Sequence, residues 1–144
     1  MATFLLKTEP STYSFDDLVR EKAATWDGVS NAAALIALRA MKKGDEAFIY
    51  HTGDERAIVG LAKVTRGGYE DPKHPGLNAR GEPKLAVVDL KPGARAKRPV
   101  TLAMIKADPR FESFALLKQS RLSVMEVPPE LDRLIRGLAG LPGS

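Results

Sequence analysis

Residues 46–64 read EAFIYHTGDERAIVGLAKV. Two runs rich in aromatic and β-branched residues, EAFIYHT and AIVGLAKV, flank the polar GDER. Such side chains suit a pleated surface, and a short polar break between two such runs marks an antiparallel hairpin. It is the clearest hairpin in the chain. N-terminal to it, TFLLKTEP predicts a short strand stopped by Pro10, with Phe4, Leu6 and Thr8 on one face and Leu5 and Lys7 on the other. In STYSFDDLVREK, Ser14 is placed to cap a helix, Asp16 and Asp17 suit its first turn, and Phe15, Leu18 and Val19 share a face. A loop with the single tryptophan, Trp26, leads to Asn31, the expected cap of a helix ending near Met41 with Gly44 at C′. Only Arg39 interrupts the apolar surface of that helix, so its burial is expected.

C-terminal to the hairpin, residues 66–83 are rich in Gly and Pro and have no periodicity, which predicts a long loop, functional or mobile. KLAVVDL predicts a strand and KPGARAKRP a basic connector. TLAMIKAD predicts a short helix capped by Thr101, while FESFALLKQS fits neither template cleanly. RLSVMEV predicts a last strand, and VPPELDRLIRGLAG a helix that starts at Pro129 and ends at Gly137 or Gly140. These elements neither alternate regularly nor group by type, and nothing repeats. The expected fold is therefore α+β, a single domain over residues 1–144. Its mostly antiparallel strands should curl into a small sheet or barrel with short helices outside it.

The 144 residues can bury a sizeable core without cross-links. There is no cysteine, hence no disulfide framework and no thiolate metal site. With His51 and His74 the only histidines, zinc binding is not supported, and no phosphate-loop, dinucleotide or nucleophile-elbow motif is present. The opening apolar run is too short for a secretory signal and no segment has the length of a membrane span. A soluble cytoplasmic protein is expected. The net charge of +4 is unevenly spread: residues 63–98 carry nine Lys/Arg against four acids, so this quarter is +5 and the remainder −1. Such a cluster attracts polyanions or forms a solvated face.

Six segments in order carry a resemblance: FLLKTEP, WDGVSN, RAMKKGDEAFIYHT, IVGLAKV, PKLAVVDL and SRLSV. Together they resemble the EVE domain family, a PUA-like group of β-barrels related to the YTH domains, from Phe4 to about Leu138. The resemblance implies a PUA-like barrel and a pocket for a modified nucleobase, notably modified cytosine in DNA or a modified base in RNA. It implies no catalytic residues, cofactor or metal. In that role Trp26 supplies a stacking face, Asn31 reads a base edge, Thr8 adds hydrogen bonds and Lys7 meets a flanking phosphate. Phe4, Val29, Ser30, Tyr50, His51, Thr52 and Leu85 complete the implied pocket. Lys84, Arg95, Lys97, Arg98 and Arg121 are the implied phosphate contacts.

The chain departs from the family pattern at several points. Phe4 stands for the opening Trp, Ser30 for Arg, AAALI for the run after Asn31, and Leu85 for the Trp of a Lys-Trp pair. Taken alone, Trp26 also reads as a core plug, Asn31 as a helix cap and His51 as a satisfied, partly buried residue. A second function, amidohydrolysis of a modified nucleoside as in ASCH-type proteins, would draw on Lys7, Thr8 and Glu9, with Lys7 activating the Thr8 hydroxyl. Adjacent residues on a strand point to opposite faces, which disfavours that pair. A third, a protein adaptor using the loop 66–83, has no specific residue behind it. A monomer is expected, with DNA or RNA as partner and no membrane.

Overall fold

A computed structural model describes residues 1–143. Six strands form one curled sheet: β1 (Thr3–Thr8), β2 (Ala24–Trp26), β3 (Glu46–His51), β4 (Ala57–Glu70), β5 (Ala86–Thr101) and β6 (Val124–Val127), in the order β2-β5-β4-β3-β1-β6. Among the described residues only β1 and β3 run parallel; the other pairings are antiparallel. Five α-helices surround the sheet: α1 (Phe15–Glu21), α2 (Ala32–Ala40), α3 (Leu102–Ala107), α4 (Ala115–Lys118) and α5 (Pro129–Ala139). The barrel is open, because its edge strands β2 and β6 do not pair. No helix among the described residues is long and apolar enough to cross a membrane.

The alternation expected in β1 holds, and both faces find a core. Phe4 and Leu6 pack with Phe15, Leu18, Leu38 and Ile49, whereas Leu5 packs on the other side with Phe48, Ile58, Phe111 and Ile135. Local signals set the helix starts. Ser14 and Asp17 form a reciprocal capping box, the Asn31 side chain accepts from Ala34 N, and Thr101 accepts from Met104 N. Gly140, at φ +70°, ends α5; Gly137 lies inside that helix.

Several expectations are corrected. The loop expected from residue 66 begins only after Glu70, because Gly67 and Gly68 are strand residues that pass close to α2. A Cβ at either would lie 2.5–2.6 Å from the carbonyl oxygens of Met41 and Leu38, so glycine serves close approach there instead of a turn. The basic connector is the second half of β5. Pro92 and Pro99 are tolerated there because β2 covers only Val88–Leu90, leaving the rest paired on one side. Trp26 is not in a loop but ends β2, a strand of three residues and too short for any period to show. Gly44 does not follow α2 as C′; it takes φ +96° inside the turn Lys42–Asp45. Arg39 is half-buried and donates to the carbonyls of Pro83 (2.7 Å) and Lys84 (3.1 Å). Val19 and Ile36 face solvent, at 42 % and 65 % exposure.

Candidate base-binding cavity

The curl of the sheet brings the end of β1 beside β2, four places away in the strand order, and between them opens a cavity of about 820 Å³. The Trp26 ring forms one wall. It is half-buried, and Tyr13 meets it edge-on, with centroids 6.0 Å apart and planes at 84°. Tyr13 is fixed by a tight turn: Thr12 N and Tyr13 N donate to Glu9 O, and Thr8 Oγ1 donates to Tyr13 O at 2.6 Å. Its hydroxyl donates to Glu21 Oε1 at 2.9 Å. Burial, reinforced by Glu21, pushes the phenol up to about 12.

The opposite lip is the bend from Asp27 to Asn31. Gly28, at φ +77°, gives that bend its left-handed residue. Asn31 Oδ1 is committed to capping α2 at 3.0 Å, while its Nδ2 has no protein partner among the described residues. The residue therefore caps α2 and also lines the cavity. Lys7 reaches over the far edge, donating Nζ to Ser120 O at 2.9 Å. Burial lowers its pKa from the ordinary lysine value.

Six of the expected pocket residues meet here: Lys7, Thr8, Trp26, Val29, Ser30 and Asn31. The others lie elsewhere. Phe4 is core, 1 % exposed, and Tyr50 is buried in the core on the opposite face. His51 is buried behind α1, where Nε2 accepts from Phe15 N (3.0 Å) and Nδ1 faces Glu55 (3.1 Å). That geometry makes Nε2 an acceptor that holds a helix start. Thr52 sits behind the wall, its Oγ1 shared between Thr8 O and Glu9 Oε2. Leu85 packs on the core without lining the cavity.

The expected phosphate residues are scattered. Arg95 pairs with Asp16, Lys97 packs against Gly140 and Arg98 donates to Leu138 O. The exposed Lys84 is part of the segment whose carbonyls hold Arg39. Arg121 alone lies beside the cavity, in a groove that shares Asn31. Sequence reasoning missed Tyr13, Glu21 and Ser123 on the cavity wall. The signal for Tyr13 was a lone aromatic in an otherwise polar turn, between Pro10 and the cap Ser14.

The EVE domain family model matches residues 2–138. Human thymocyte nuclear protein 1 is 30 % identical over 155 residues, covering 88 % of this chain and 69 % of that protein. The NMR structure of Rpa0253 from Rhodopseudomonas palustris is 40 % identical, with a TM-score of 0.87, over 100 % of this chain and 97 % of that one. The crystal structure of human THYN1 protein in complex with 5-methylcytosine-containing DNA is 27 % identical, with a TM-score of 0.87, over 99 % and 100 % of the two chains.

Proposed function

The chain belongs to the EVE domain family, and from that footing we propose that it is a non-catalytic reader of a modified base, held between Trp26, Tyr13 and Asn31. The observation that carries this reading is the likeness over the full chain to the human protein solved with 5-methylcytosine-containing DNA. Modified cytosine in DNA is accordingly the leading occupant, with a modified base in RNA as the variant to compare. The cavity suits the task. Its volume of about 820 Å³ falls in the ~300–1,000 Å³ range of small-ligand clefts. Trp26 offers a π-face, Tyr13 a second aromatic edge, and Asn31 a free amide donor for a base edge. Tyr13 also offsets the aromatic side chain that Leu85 does not supply. A soluble monomer of the cytoplasm belongs to the same proposal.

Amidohydrolysis is less well supported. Lys7 Nζ is engaged by Ser120 O and Thr8 Oγ1 by Tyr13 O. An amine that activates a hydroxyl needs to be in contact with it.

Trp26 is the only tryptophan, so its fluorescence reports occupancy directly. Titration with an oligonucleotide containing 5-methylcytosine should change that emission more than its unmodified counterpart does. Trp26→Ala should cost ~1–3 kcal/mol of binding, about 5- to 150-fold, and erase the preference for the modified base. Loss of the ~3–5 kcal/mol of folding stability typical of a core aromatic would make Trp26 a plug instead. Retention of the preference would also end the reading.

A further inference from the structure

At the mouth of the cavity the sign of the charge reverses. Glu9, Glu21 and Asp27 line the cavity against Lys7 alone. Across Asn31, which belongs to both, a shallow groove of about 330 Å³ runs over the segment between α4 and β6. Lys118 and Arg121 are the charged residues of that groove, and no carboxylate lines it. Both are exposed, and neither enters a salt bridge among the described residues. Their segment is nevertheless held in place. Lys118 N and Gln119 N donate back to Phe114 O and Ala115 O, Leu122 N to Gln119 O, and Lys7 Nζ holds Ser120 O.

This separation of charge sorts a nucleotide into its parts. A neutral base whose edge offers N–H donors is compatible with an acid-lined cavity, whereas the anionic backbone is repelled from it. The backbone is drawn to unpaired cations next door. The basic half of β5 is already engaged elsewhere, since Arg95 is paired with Asp16 and Lys97 and Arg98 lie against the end of α5.

We propose that the groove of Lys118 and Arg121 is the phosphate subsite for the strand flanking a base in the cavity, in place of residues 95–98. The proposal rests on the base-reading role for its biological meaning, but the groove's affinity for phosphate does not depend on which base is read.

The test is anisotropy of labelled DNA duplexes, one with 5-methylcytosine and one unmodified, from about 50 to 200 mM salt. Lys118→Gln/Arg121→Gln should reduce the slope of log affinity against log salt by about 1.8, or ~0.9 for each phosphate no longer neutralised, on both duplexes. The ratio of affinities for the two duplexes should stay at the wild-type value. Arg95→Gln/Lys97→Gln/Arg98→Gln should keep the wild-type slope. A wild-type slope in the groove variant overturns the proposal, as does a flattened slope in the β5 variant. Absence of preference in the wild-type protein sinks the base-reading role alone, because the slopes on unmodified DNA still decide the groove. Wild-type protein that binds neither duplex at low salt overturns the groove as well.

Discussion

Gly60→Ala tests how α1, and with it the Tyr13 wall, is anchored to the sheet. A Cβ at Gly60 would lie 2.5 Å from both Cε1 and Cζ of Phe15 and 2.8 Å from Cδ1. Carbon atoms prefer ~3.5–4.0 Å, so the contact is short by about 1 Å across one edge of the ring. The ring has nowhere to retreat. Phe15 is 1 % exposed, its N–H is bonded to His51 Nε2, and the Arg95 guanidinium stands 5.1 Å from its centroid. If β4 gives way, overpacking costs ~1–3 kcal/mol. If the ring is expelled, loss of a buried Phe costs ~3–5 kcal/mol. We expect a loss of ~3 kcal/mol, the value where the two ranges meet. Urea denaturation of four proteins measures it: wild type, Gly60→Ala, Phe15→Ala and the double variant. With the ring gone the new methyl occupies vacated space, so the double variant should be no less stable than Phe15→Ala alone. A cost for Gly60→Ala under ~1 kcal/mol, below the overpacking range, or strict additivity with Phe15→Ala, would refute the reasoning.

The Tyr13 phenol, pushed up to about 12 first by burial and then by Glu21, holds its proton more tightly in the folded chain than in the unfolded one. Its contribution to stability is therefore complete below the unfolded value of ~10 and is lost as pH rises through about 12. Absorbance titration near 295 nm should show one tyrosine moving down in Glu21→Gln; an unchanged curve would remove Glu21 as a cause. Arg136, 4 % exposed, pairs with Asp132 within α5 (2.6 Å) and ties that helix to the sheet through Glu46 (3.1 Å) and Thr3 (3.2 Å). Arg136→Met strands the buried Asp132 carboxylate and should cost ~3–5 kcal/mol by thermal or urea unfolding. Arg136→Met/Asp132→Leu should recover part of that loss, and a single variant of wild-type stability would show the network to be dispensable.

The legible parts of this fold are those fixed by neighbours in sequence. The 46–64 hairpin, the alternation of β1 and the caps at Ser14, Asn31 and Thr101 each depend on residues a few positions apart. The illegible parts depend on distant partners. Pro92 and Pro99 look like breakers until one knows that, among the described residues, no strand pairs with the outer side of β5 there. Gly67 and Gly68 look like a loop until α2 is seen pressing against them. His51 lies at the expected strand end, yet the partner that turns its ring away from the cavity is the start of α1. The grouping of Trp26 with Asn31, Lys7 and Thr8 came from resemblance, whereas Tyr13 joined them only through the curl of the sheet.

The order of the strands also divides the support of the cavity between near and distant sequence. Its wall is drawn almost wholly from residues 7–31, yet Ser123 closes it and β1 is flanked by β6, with Leu6 opposite Val124 across nearly the whole chain. Contacts so far apart in sequence carry a loop-closure cost that slows their formation. A protease cut before Val124 would sever the strand that flanks β1 while leaving Trp26 and Tyr13 together in one fragment.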